Sequence, residues 1–241
     1  MTTVKLLPDI AAEKLCKPRP LIVGVKDVPV MRKWKDRDVM TRQSAYVRLG
    51  DRRGIHASRL AGVLMRYEGL DLNQESVRAL VQELEQTHET PVTYMCKWEC
   101  MEQGYVVKRK IEVSGDLYMT VELGYVSTCP CAAEMCRAVG QGIPHQQRSV
   151  MKVTTVWDKD VMEVLTRLFL MPRTVMKREE ELEWCVQASK SVNQVFAEDA
   201  ARRIGQALEV AGVWEYLVEV EHFESLHMHS MVAVNRRGRF V

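Results

Sequence analysis

The order in which apolar patterns follow one another along the chain is the strongest constraint on its fold. From Leu21 onward, strand-like and helix-like stretches run strand, strand, helix, helix, strand, strand, and after Ser114-Gly115-Asp116 the same order begins again. In the first half the strands fall at 21–25, 44–49, 92–99 and 105–113. Between them lie a helical stretch at 55–69 and a second helix behind Asn73, in which Val77, Leu80, Val81 and Leu84 recur at helical spacing. In the second half Leu117, Met119, Val121, Leu123 and Tyr125 alternate with mostly polar neighbours, the period of a strand with one buried face. A strand at 151–157 follows, then a helix capped by Asp158 and carrying Val161, Val164, Leu165 and Leu168. Next come a helix at 198–211 stopped by Gly212, a strand through Trp214, Tyr216, Val218 and Val220, and a final hairpin strand at 231–234. The residues of the two halves do not match, so the repeat is one of structure. It predicts an α+β chain of two ββααββ units, 1–114 and 115–241, each an antiparallel four-stranded sheet with two helices on one face. Sheets of that size leave edges, which favours oligomers joined edge to edge.

Several function classes drop out early. At 241 residues and 46% hydrophobic content the chain holds one large domain or two small ones, and a formal charge of +2 indicates neither a nucleic-acid partner nor an acidic tail. No apolar run approaches the roughly eighteen residues a membrane helix needs, so no membrane partner is expected. The opening residues carry Asp9, Glu13 and three prolines and lack a signal-peptide core. Seven cysteines, an odd number at irregular spacings, fit reduced thiols and a cytoplasmic location. No glycine-rich loop follows a strand, which removes the dinucleotide and P-loop readings.

Four clusters carry the residue types that chemistry needs: Cys129-Pro130-Cys131 followed by His145, the run Glu179 to Glu183, Phe196-Ala197-Glu198-Asp199, and His222 to Ser230 with three histidines. Each falls at or near a strand end or a helix start. Thiolate, imidazole and carboxylate together suit Zn²⁺, Fe²⁺ or Mn²⁺, and a set containing a carboxylate is more typical of catalytic than structural metal. Plainer readings stand beside this one. Cysteines bury as small hydrophobes, a glutamate run favours a helix start, and His222 and His229 can face the other side of a strand.

Taken together the clusters resemble the GTP cyclohydrolase IB family. The resemblance rests on Val23-Gly24-Val25-Lys26-Asp27, Gly54-Ile55-His56-Ala57-Ser58-Arg59, Cys129-Pro130-Cys131, His145-Gln146-Gln147-Arg148-Ser149, Phe196-Ala197-Glu198-Asp199, and Phe223-Glu224-Ser225-Leu226-His227-Met228-His229-Ser230, in that order along nearly the whole chain. It implies the bimodular tunnelling fold and a homotetramer with active sites shared between subunits. It also implies GTP as substrate: C8 of the guanine ring is hydrolysed, formate leaves, and the product is 7,8-dihydroneopterin triphosphate or, in one branch, a cyclic phosphate for pterin or folate synthesis. Position by position, it implies one divalent metal (Zn²⁺, Fe²⁺ or Mn²⁺) on Cys129, His145, Glu183 and His227, with Glu181 the alternative to Glu183. Glu198 would hold the guanine edge, Cys131 and Glu224 would line the pocket, and His56, Ser58, Arg59 and Arg148 would meet the triphosphate. A metal-activated water and a histidine proton donor are implied for the attack at C8.

The chain departs from the family's pattern at Ala132, where serine is frequent, at Gln146 in place of asparagine, and by about four extra residues between Cys129 and His145. The stretch 91–113 is compressed. Two alternatives therefore stay open: a relative acting on another purine or pterin, including a reductase with a nucleophilic cysteine, and a non-enzymatic purine-binding metalloprotein.

Overall fold

The computed structural model describes residues 10–14, 21–157, 160–173, 175–190 and 193–241. The prolines at 18 and 20 and the expected cap Asp158 lie outside the described residues. In chain order the elements are β1 (Leu21–Trp34), β2 (Arg37–Leu49), α1 (Ala57–Arg66), α2 (Gln74–His88), β3 (Val92–Glu102), β4 (Tyr105–Ser114) and β5 (Asp116–Thr128). They continue with α3 (Pro130–Val139), β6 (Gln146–Val156), α4 (Met162–Thr166), α5 (Arg178–Lys190), α6 (Ala197–Val210), β7 (Tyr216–Phe223) and β8 (Ser230–Arg237). The class is α+β, and the eight strands hydrogen-bond antiparallel in chain order. Two compact units divide the chain: Met1–Trp98 with Ile111–Leu117, and Glu99–Lys110 with Tyr118–Val241.

In the first unit β1 runs well past the expected end at residue 25. A register shift between Val25 and Val28 interrupts the ladder, and Asp27 takes a positive φ of 55° while its N–H donates to Ser44 Oγ at 3.0 Å. The Lys26-Asp27 break in the apolar pattern is thus a bulge, after which the strand continues. Lys35 and Asp36, both at positive φ, form the tight turn into β2. Leu60, Val63 and Leu64 of α1 and Val77, Leu80 and Leu84 of α2 are fully buried, as the helical spacing requires. Asn73 Oδ1 accepts the Ser76 N–H at 2.8 Å and caps α2. Arg32 is buried in β1 and donates to the carbonyls of Leu70 and Asp71, both at 3.0 Å, so a strand side chain holds the loop between the two helices.

In the second unit the period-two residues of β5, β6 and β7 point inward together. Met119, Val121, Leu123 and Tyr125 bury with Met151, Val153 and Thr155 and with Tyr216, Val218 and Val220. Asp160, two positions beyond the expected cap, accepts the Met162 N–H at 3.1 Å and starts α4. Its carboxylate also meets Arg109, which is paired to buried Glu102 at 2.8 Å. Helix α6 lies on β7 and β8 through Ala197, Ala200, Ala201, Ile204 and Leu208. Gly205 permits the close approach: a Cβ there would collide with the Asn235 amide and come within 2.8 Å of Tyr216 Oη. No described helix is long and apolar enough to cross a membrane.

Overpacking at such a contact costs about 1–3 kcal/mol. Gly205→Ala is therefore expected to lower the unfolding free energy by that much, read as a lower urea midpoint, against the gain alanine brings to an open helix position; an unchanged midpoint would show that α6 has room to move.

Candidate active site

The site begins where β5 ends. Thr128 and Gln146 are the last partners of the β5–β6 ladder, and one step beyond them the Cys129 N–H donates to the His145 carbonyl at 3.2 Å. Cys129 and His145 therefore face each other across a ladder end, although fifteen residues separate them. Those residues include α3, which Pro130 opens at its first position and Gly140 closes in the left-handed region. The expected strand end is thus also a helix start.

Buried Asn193 ties this end to the rest. Its backbone carbonyl accepts the Thr128 N–H at 2.8 Å, its carboxamide oxygen accepts the Leu170 N–H at 2.8 Å, and its amide nitrogen donates to the Leu170 carbonyl at 2.8 Å and to the Val126 carbonyl. Five positions later Glu198 stands in the first turn of α6, where the free N–H groups and the helix dipole favour a carboxylate. Asp199 reaches back to the Phe196 N–H at 3.3 Å and fixes the entry of that helix.

The third side is the connection from β7 to β8. Phe223 and Ser230 are the last ladder pair, leaving 224–229 as a loop. Ser225 Oγ lies 3.0 Å from His145 Nδ1, and the rings of His227 and His229 stack at 5.2 Å with 11° between their planes. Cys129, His145, Glu198, Glu224, His227 and His229 line one cavity of about 390 Å³, together with Gln147 and His222.

His222 is of a different kind from the loop histidines. It is 2% exposed, with Tyr125 Oη at 2.7 Å from Nε2 and with Ser127 Oγ and Gln147 Nε2 each 3.3 Å from Nδ1. Burial pushes its pKa from 6.5 down to about 4, opposed by the negative charges of Glu224 and Glu198. Tyr125 in turn stacks on Phe169 at 4.6 Å, and burial raises its phenol.

Five of the expected site residues meet in this cavity: Cys129, His145, Glu198, Glu224 and His227. Others stand outside its lining. Cys131 is exposed on α3, Arg148 is exposed on the face of β6 opposite to Gln147 and Ser149, and Glu181 and Glu183 are exposed on α5. Among the described residues no three His, Cys, Asp or Glu side chains are grouped to hold a metal ion. In the first unit His56 and Arg59 line a cavity of about 720 Å³ with Arg48, Arg52 and His88, while Ser58 is exposed in the first turn of α1 and outside that lining.

Sequence reasoning gave no site role to Gln147 or His222, although both lie in stretches it singled out. The signal for His222 was available: it continues the phase of Tyr216, Val218 and Val220, and a histidine in the inward phase of a strand is a buried histidine. Gln147 stands in the same phase as Ser149 and Met151.

The model of the type I GTP cyclohydrolase FolE2 family matches residues 7–233. The chain belongs to this family. It is 26% identical to the GTP cyclohydrolase FolE2 of Pseudomonas putida over 98% of this chain and 97% of that one. The FolE2 protein of Azotobacter vinelandii is 29% identical over 94% and 97% of the two chains. The FolE2 protein of Syntrophotalea carbinolica is 28% identical over 88% of each. The FolE2 match thus spans the cavity and the elements that carry it.

The neutral His222 ring makes stability depend on pH. The unfolded chain binds the extra proton near pH 6.5 and the folded protein near 4, so this contribution is complete above 6.5 and is lost as pH falls through that window. It amounts to about 3 kcal/mol. Denaturant midpoints taken between pH 7 and 4 are expected to fall less steeply for His222→Gln than for the wild-type protein.

Proposed function

We propose that the protein is a GTP cyclohydrolase that hydrolyses C8 of the guanine ring, releases formate and converts GTP toward 7,8-dihydroneopterin triphosphate. The observation that carries the reading is the convergence of Cys129, His145 and His227 with Glu198 in one cavity of a chain that belongs to the FolE2 family.

By residue type the wall suits a borderline-soft divalent cation, with one thiol and two imidazoles on separate segments, although among the described residues they are not grouped as a ligand set. Cys129, His145 and His227 would hold it, with Glu183 as the carboxylate that completes the set and Glu181 as the alternative. The bound ion, Zn²⁺, Fe²⁺ or Mn²⁺, supplies the Lewis acidity that activates water for hydrolysis. The remaining work falls to the chain itself. Glu198, in the first turn of α6, accepts from two N–H donors of the guanine edge, the pairing for which a carboxylate has two oxygens. The stacked pair gives the cavity a further imidazole, His229, suited to hold the proton that N7 takes up before C8 becomes electrophilic. Glu224 and Cys131 belong to the same reading as pocket residues. His56, Ser58, Arg59 and Arg148 meet the triphosphate, the arginines by charge-assisted hydrogen bonds. The homotetramer with shared active sites, implied by the family resemblance, brings these groups to the same substrate.

The test is anaerobic incubation with GTP and each of the three metals in turn, following formate and the fluorescence of the oxidised pterin. Formate release that requires metal is expected. Cys129→Ala and Glu198→Gln are expected to lower kcat/KM about 100-fold or more with the fold retained. No formate from intact protein with any of the metals would overturn the reading.

A further inference from the structure

Gln147 is more than nine-tenths buried and lines the same cavity, and its carboxamide oxygen has no hydrogen-bond partner. A buried acceptor left unmatched costs about 1–3 kcal/mol, so a native structure that keeps one asks for a reason. The arrangement around it determines which atom is left over. The amide nitrogen of Gln147 can only donate, and it lies 3.3 Å from His222 Nδ1, so that ring atom accepts. The single proton of the neutral ring is then on Nε2 and is donated to Tyr125 Oη at 2.7 Å. Ser127, 3.3 Å from Nδ1 and 2.8 Å from Ser149 Oγ, closes the other side of the ring. With the nitrogen committed to His222, the carbonyl is the part of Gln147 left without a partner, closed to water within the cavity wall.

We propose that Gln147 is a specificity-determining residue that accepts an N–H of the bound purine, and that His222 is the positioning residue that fixes the orientation of its carboxamide. The inference rests on the reading of the cavity as a guanine site. Guanine offers three N–H hydrogens on one edge, at N1 and on the 2-amino group, and Glu198 has acceptors for two of them. Gln147 takes the third, on the 2-amino group, which a purine lacking that group cannot supply. A site built to hydrogen-bond such a group discriminates against the analogue without it, because its own buried acceptor is then left unpaired.

The experiment compares GTP with inosine triphosphate, which lacks the 2-amino group, in metal-loaded wild-type protein and in Gln147→Met, His222→Leu, His222→Gln and Gln147→Met/His222→Leu. The readout is the ratio of the two kcat/KM values, which a general loss of stability or rate does not move. Gln147→Met is expected to lower the ratio about tenfold, the equivalent of one hydrogen bond. His222→Leu is expected to lower it similarly, the double variant no further, and His222→Gln, which again offers an acceptor to the Gln147 amide, to restore it. An active Gln147→Met or His222→Leu protein with the wild-type ratio would overturn the proposal. Gln147→Leu replaces Gln147→Met if the latter does not fold. Should wild-type protein release no formate from either nucleotide, the cyclohydrolase reading falls, and the role of Gln147 is decided by the ratio of Kd values for the same two nucleotides from calorimetry.

Discussion

One carboxamide holds the candidate site together. Asn193 is buried where the end of β5, the loop after α4 and the lead into α6 meet: its carboxamide satisfies backbone groups of Val126 and Leu170, and its own carbonyl accepts the Thr128 and Val195 N–H groups. Cys129 follows directly on the strand that Asn193 clamps, and Glu198 follows directly on the segment that carries Asn193. A thiol and a carboxylate 69 residues apart in sequence therefore share a wall because one buried residue fixes both approaches. Buried polar networks of this kind are costly when half satisfied and rigid when complete, and rigidity is what a site assembled from loop ends requires.

The cavity uses histidine in two ways. His145, His227 and His229 stand at segment ends and in a loop, partly or fully exposed. His222 is inside the sheet, 2% exposed, with burial pushing its pKa down to about 4 and Tyr125 Oη at 2.7 Å from Nε2. The first kind is suited to ligation and proton exchange, the second to holding a geometry. The same division runs through β6, where Gln147 and Ser149 turn inward and Arg148 turns out. One strand thus supplies a wall on one face and a charge on the other.

Much of this was legible in the sequence. The alternation in β5 and β7, the helical spacing of α2 and the cap at Asn73 follow from side-chain periodicity, which the backbone geometry enforces locally. The sequence also marked Cys129, His145, Glu198, Glu224 and His227, because reactive residue types clustered at element ends. Less legible was whatever depends on contacts between distant segments. The break at Lys26-Asp27 reads as the end of a strand, and only the pairing with Ser44 shows it to be a bulge. The glutamates of α5 read as neighbours of the site by sequence distance, while their exposed position on that helix is set by how the helix lies. The phase of β7 marks His222 as buried, but what it does with Gln147 is invisible until the fold brings the two within 3.3 Å.

The glycine at position 205 has a wider consequence. With no side chain at position 205, the helix comes down with its own backbone on the Tyr216 and Asn235 side chains of β7 and β8. The carboxylate of Glu198 at its leading end is thereby held at the depth of this contact. A contact between backbone and side chains far from the cavity thus helps to decide where one of the cavity's carboxylates stands.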